Sequence, residues 1–300
     1  AYQVLSKAQQ MPIRVNAMLD ITDSQWRDVL RKGPKRSQDD FFKMDSVKVV
    51  ADGALGSRGA ALIEDYSDHH GHKGLLLYSD DKLLEVMKSA MDAGFQVNTH
   101  AIGDDANKRV LDNYQQLLVS KDKRALRHRI EHAQVLNLSD IPRFSQLGVI
   151  ASMQATHATS DKNMAQDRLG KDRIAGAYAW QKLLKSGATL AAGSDFPIES
   201  PNPFYGLHAS ITRQDHLNLP EGGWFADEKM TRLQAFKSFT LDAAYAGHQE
   251  QLLGSLAPGK KADFILINED IFTMKAEDIW KARVLATWVD GKQVYLSREK

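Results

Sequence analysis

Three residues of metal-binding type each close an apolar run. His100 stands at the end of "FQVNTHA", His132 at the end of "RHRIEHA" and Asp195 at the end of "ATLAAGSD". Neutral imidazoles and a carboxylate suit Zn²⁺, and also Fe²⁺, Mn²⁺ or Co²⁺, while leaving positions open for water. A lone histidine is more often a strand cap or a stacked core ring. Three such residues on three strand ends argue instead for a shared divalent cation. The chain contains no cysteine, so a metal must be held by His, Asp, Glu or a modified Lys. In "FQVNTHAIGD" the run breaks at once into Ile-Gly-Asp after its histidine.

The elements that would position these residues alternate. Strand candidates are Ile13–Leu19, Val47–Gly53, Phe95–Ala101, Arg127–Ala133, Gly148–Gln154 and Ala188–Asp195. Between them lie amphipathic stretches with helix-end signals. Ser79 and two aspartates open one that Gly94 closes, and Ser139-Asp140-Ile141-Pro142 opens another that stops at Gly148. "AYAWQKLLKSG" and "RLQAFKSFTLDAAYAG" end the same way. This alternation argues for βαβ units around a parallel sheet. Polar groups gather at the ends of the runs: Lys48 and Asp52, His100, Glu131 and His132, Gln154 and His157, Asp195. No run carries a Gly-rich phosphate turn, so the pattern favours a (β/α)8 barrel, which places its active site at strand carboxyl ends, over a doubly wound sheet. After Gly254 the pattern changes to alternating strands punctuated by Gly and Pro, which reads as part of a small antiparallel β unit.

Composition sets the bounds. The 300 residues are 43% hydrophobic and 26% charged, with a net charge of +1, which excludes a strongly basic nucleic-acid binder. No run approaches the roughly 18 apolar residues of a membrane span, and the first residues show no leader pattern. The compartment stays open between cytoplasm and bacterial envelope.

The motifs "VKVVADGALGSRGAAL", "THAIGD", "RIEHAQ", "MQATHATSD", "AAGSDFPIESPNPFYGL" and "GSLAPGKKADFILIN" occur in order over nearly the whole chain. In them the chain resembles the amidohydrolase superfamily, in the YtcJ-like or family-3 branch related to N-substituted formamide deformylases. The resemblance implies a metal-dependent-hydrolase TIM (β/α)8 barrel over residues 1–253. Residues 254–300 would then be the carboxyl-terminal part of a small β-sandwich domain. It also implies that His100 and His132 are the fifth- and sixth-strand ligands. Asp195 would be the eighth-strand ligand and the proton shuttle. Lys48 falls where related enzymes carry a carboxylated lysine bridging two metals; an ordinary lysine paired with Asp52 or Asp195 is the alternative. His157, Asp161 and Arg213 are candidate substrate contacts in the following loops, against a solvated role for Asp161 and an ion-paired one for Arg213. Asp104 and Asp105 read as helix-start acids. The reaction implied is hydrolysis of a C–N bond, amide or N-formyl, in a small molecule, by water activated on a divalent metal such as zinc, iron or manganese.

One departure stands out. The superfamily's first strand ends in His-x-His, and the one such spacing here, His70 and His72, lies in a loop after the Lys48 run. The chain is therefore expected to begin before the third barrel strand and to lack two strands. Weak metal retention, inactivity alone and self-association through open edges would follow. Two other readings remain. One is a non-catalytic barrel that binds a small molecule. The other is an acid/base pair of Glu131 and Asp195, which leaves His100 and His132 unexplained.

Overall fold

The computed structural model describes residues 2–298. The strands of the first sheet are β1 (Val15–Asp20), β2 (Lys35–Arg36), β3 (Phe42–Val50), β4 (Gln96–Ala101), β5 (Arg129–His132), β6 (Ile150–Met153) and β7 (Leu190–Ala192). They follow one another in the order β1-β3-β4-β5-β6-β7, with β2 antiparallel on β3. The pairs β1–β3, β3–β4 and β4–β5 are parallel. Among the described residues the path is open, with β1 and β7 at its ends, as an incomplete barrel requires. β8 (Phe264–Ile267), β9 (Val284–Val289) and β10 (Lys292–Leu296) form a second, antiparallel sheet. No helix among the described residues is long and apolar enough to cross a membrane.

The chain divides into two compact units. One takes the stretch up to Ala151 with Met164–Ala177 and Ser186–Thr189; the other takes Ser152–Asn163, Tyr178–Lys185 and the chain from Leu190 on.

In the first unit, Val47, Val49, Val97 and Ile130 are fully buried and by register share one face of the sheet, its apolar side. The helix Asp80–Asp92 begins with two acids and buries Leu83, Val86, Met87, Ala90 and Met91, a stripe at helical spacing. The helix Asp104–Leu117 buries Tyr114, whose hydroxyl lies 2.9 Å from the carbonyl oxygens of both Val97 and Arg129 and so clamps β4 to β5. Register fixes what the sheet presents. Lys48 is level with Asn98, which is level with Arg129; Val50 is level with His100, which is level with Glu131. Residues in register share a face, so two successive rows of polar groups stand near the strand ends. The sequence places these rows correctly, although β7 is shorter than the expected Ala188–Asp195.

In the second unit, the apolar stretch expected as one helix up to Gly247 is two, Arg232–Phe239 and Leu241–Ala246. Thr240 breaks it: its backbone leaves helical angles and its hydroxyl donates to the Phe236 carbonyl at 2.7 Å. The β9–β10 hairpin turns on Asp290 and Gly291, both with positive φ, a type I′ geometry that matches strand twist.

His208, on the helix Pro203–Thr212, is fully buried with Nε2 3.0 Å from Asn218 Oδ1, and His216 stacks on Trp280 at 4.9 Å. Burial holds both imidazoles below the ordinary value of 6.5. The unfolded chain therefore takes up protons near pH 6.5 that the folded chain refuses. Their contribution to stability is full above that value and is lost as pH falls through it towards the folded values. The urea midpoint is expected to drop between about pH 7.5 and about pH 5, and His208→Gln to flatten that drop. An identical pH profile in the variant would remove His208 from the account.

Candidate metal centre

At the strand ends of the first unit, the His100 and His132 rings lie with centroids 4.6 Å apart, edge to face at 73°. Strict alternation would send His132 to the face opposite Glu131, the register partner of His100. His132 and Ala133 instead have φ of +76° and +43°, so the ladder ends in left-handed backbone at the histidine. Such conformations in residues other than glycine cost energy and gather at functional sites. Glu131 accepts from Arg129 Nε at 2.8 Å, and Lys48 stands one register row behind His100.

The Ile-Gly-Asp break is explained by a buried carboxylate. Asp52, fully buried, accepts from the backbone amides of Ala61 (2.9 Å), Ile102 (2.9 Å) and Gly103 (2.8 Å). It thereby ties the end of β3 and the following loop to the exit of β4. The loop comes so close that a Cβ on Gly103 would sit 1.9 Å from the Ala61 carbonyl oxygen. Asp104 then accepts from the Ile63 amide at 3.0 Å, while Asp105 pairs with Arg109 at 3.0 Å. These two acids serve the loop and the helix start, as expected. Gly103→Ala is expected to cost about 1–3 kcal/mol, since the backbone must move to relieve the overlap; a thermal or urea transition matching the parent would refute this. The His70–His72 loop is structural in character, with His72 Nε2 2.8 Å from the Arg58 carbonyl oxygen and its ring stacked on Tyr66.

In the second unit, His157 lies in the first turn of the helix Ala155–Asp161, with Nε2 3.8 Å from Asp195 Oδ2. Asp195 is exposed and, like His132, has a positive φ, +58°. Asp161 and Arg213 meet at one residue. Asp161 accepts from the Tyr178 hydroxyl, and Arg213 Nη1 donates to the Tyr178 carbonyl at 3.0 Å. Arg213 is fully buried, with Nε donating to the Trp224 carbonyl at 2.8 Å and its guanidinium 4.2 Å from the Trp180 ring. Burial pushes its pKa down. This is the placement of a support, not of a group facing solvent.

The structure thus brings His100 together with His132, and His157 together with Asp195. Sequence reasoning named Asp52 as a strand-end polar residue but not as the group facing His100, because its three amide partners come from separate stretches of chain. The donors fit a divalent cation chemically, being imidazoles and a carboxylate on strand ends and the turns after them.

A parallel α/β sheet with such donors at its strand ends is the layout of the metal-dependent hydrolases. An uncharacterized metal-dependent hydrolase from Pyrococcus horikoshii has the same fold, with a TM-score of 0.78 and 26% identity over 92% of this chain and 54% of that one. The chain belongs to the amidohydrolase family, whose sequence profile matches residues 1–295. It is similar to the protein LONG AFTER FAR-RED 3 of Arabidopsis thaliana, 35% identical over 98% of this chain and 50% of the relative. It is similar also to YtcJ of Bacillus subtilis, named as an amidohydrolase, at 31% over 85% of this chain and 48% of that one. N-substituted formamide deformylase of Arthrobacter pascens is more distant, at 22% over 82% and 44%. The chain spans about half the length of the curated relatives it matches.

Proposed function

We propose that the protein is a metal-dependent hydrolase of C–N bonds, of amide or N-formyl type, in small non-peptide molecules. Membership of the amidohydrolase family over residues 1–295 carries the reading. Donors of the types a divalent cation takes support it, His100 beside His132 in the first unit and Asp195 beside His157 in the second. In this reading His100, His132 and Asp195 are ligands, and Lys48, in carboxylated form, would add an oxygen donor. When bound, such a cation supplies Lewis acidity and an activated water at neutral pH. Asp195 takes a proton at its carboxylate and returns it to the leaving nitrogen. Its exposure and its nearness to His157 suit a group that must exchange protons. His157, within reach of that carboxylate, orients a substrate carbonyl, and Asp161, the last residue of the same helix, is a further polar contact. The formamide class is favoured by the name of the deformylase relative. Residues 254–300 read as part of a β-sandwich beside the barrel of residues 1–253, and the open edges of β1 and β7 are where a second copy would add.

Metal content comes first as a test, since turnover needs every ligand and the 300 residues span about half the relatives' length. Inductively coupled plasma mass spectrometry reads it before and after reconstitution: weak retention is expected as purified, and about one or two equivalents of zinc, iron or manganese would support the reading. A panel of amides and N-formyl amines then tests the bond class. Neither metal nor hydrolysis, after reconstitution, would return the strand-end pocket to a non-catalytic small-molecule binder.

A further inference from the structure

We infer that Asp52 is a positioning residue that holds neutral His100 with its proton on Nε2, leaving Nδ1 as the face that offers a lone pair. His100 Nε2 is buried and has no hydrogen-bond partner, and the nearest carboxylate oxygen, Asp52 Oδ1, stands 3.4 Å away. Asp52 is itself fully buried, and three backbone amides aim at its oxygens. That surrounding consists of donors only and suits a carboxylate that accepts. Oδ2 takes two of the amides and Oδ1 takes one, so Oδ1 retains a lone pair towards the ring. With the ring proton on Nδ1, two lone pairs would face each other in a dry site, where such repulsion is least screened. With the proton on Nε2, the 3.4 Å contact becomes an electrostatic attraction between the ring N–H and the carboxylate.

Three anchors from three stretches of chain make Asp52 a rigid reference, which a positioning group needs. A carboxylate behind an imidazole fixes both tautomer and ring orientation, and raises the basicity of the other nitrogen. The link from Nδ1 to a cation rests on the proposed metal reading, whereas the tautomer does not.

The test is a long-range ¹H–¹⁵N correlation spectrum of the metal-free 300-residue protein labelled with ¹⁵N-histidine, at a pH where the ring is neutral. His100→Gln assigns the signal. The expected spectrum shows His100 with its proton on Nε2 and that proton exchanging slowly with water. In Asp52→Asn, the ratio of the Nε2–H to the Nδ1–H form is expected to fall about tenfold, the scale of removing a charge 3.4 Å from a buried ring nitrogen. The His128 signal, from a buried ring in the same unit whose Nδ1 accepts from the Val97 amide at 2.9 Å, reports whether the variant folds; if it does not, the parent spectrum decides alone. A proton on Nδ1, an even mixture in the parent, or an unchanged ratio in folded Asp52→Asn would overturn the inference. Metal content decides the metal reading separately, so failure of either is recognisable.

Discussion

Arg213→Ala is expected to destabilise the protein by about 3–5 kcal/mol, among the largest effects of any single side chain. The guanidinium is fully enclosed, lying 4.2 Å from the Trp180 ring and 5.2 Å from the Trp224 ring. Two of its nitrogens serve backbone carbonyls, those of Trp224 and Tyr178. Truncation removes one donor from each carbonyl: that of Tyr178 keeps the Trp180 amide at 3.0 Å, and that of Trp224 is part-buried, so the two losses together cost about 1–3 kcal/mol. It also opens a void between two indoles and forfeits the cation–π contacts, which are strongest when desolvated. Arg213→Lys should recover little, because one ammonium cannot reach two carbonyls in the fixed fork geometry. Arg213→Met would refill the volume without restoring either hydrogen bond, so the difference between Met and Ala separates packing from hydrogen bonding. Urea denaturation reads all three. A loss below about 1 kcal/mol in Arg213→Ala would mean that the segment relaxes freely and that the enclosure contributes little.

The same residue shows where the sequence ceases to be legible. An arginine after a barrel strand reads as a substrate contact by type and position alone. Its two carbonyl acceptors and two indole walls come from Tyr178, Trp180 and Trp224, which no periodicity connects to it. The strand ends were legible for the opposite reason. His100 stands at the end of its run, just before the chain breaks into Ile-Gly-Asp, where a barrel gathers its functional side chains. The family was likewise legible, since its motifs are spread along the chain in order. The positive φ at His132 and Asp195 was not, because neither is a glycine and nothing in their neighbours announces the turn. Asp52 falls between the two cases: its position at a strand end was visible, but its three amide partners depend on how the loop from Ala54 onward folds back to Ala61 and how β4 leaves the sheet at Ile102.

Once metal loading, or restoration of the first two barrel strands, gives turnover of an amide or N-formyl substrate, Asp195→Asn is expected to lower its kcat by about 100- to 10,000-fold, the contribution of a positioned general base. The argument needs two variants, because one residue is assigned two tasks. Asn keeps an oxygen donor and the volume of the side chain, so metal content should fall little, while proton transfer at Oδ2 is lost. Asp195→Ala removes both, and metal content should fall with kcat. Backbone strain adds a complication that the comparison controls: φ of +58° at Asp195 is also tolerated by Asn, which visits the left-handed region more readily than most residues, whereas Ala must bear its cost. A loss confined to Ala would therefore point to ligation or backbone, and a loss shared by Asn to the proton. His157 supplies the cross-check, since its Nε2 lies 3.8 Å from Asp195 Oδ2. If the imidazole orients substrate rather than moving the proton, His157→Ala should raise KM more than it lowers kcat. Equal loss of kcat in His157→Ala and Asp195→Asn, without further loss in the double variant, would instead make the pair a single proton-transfer unit and take the shuttle away from Asp195 alone.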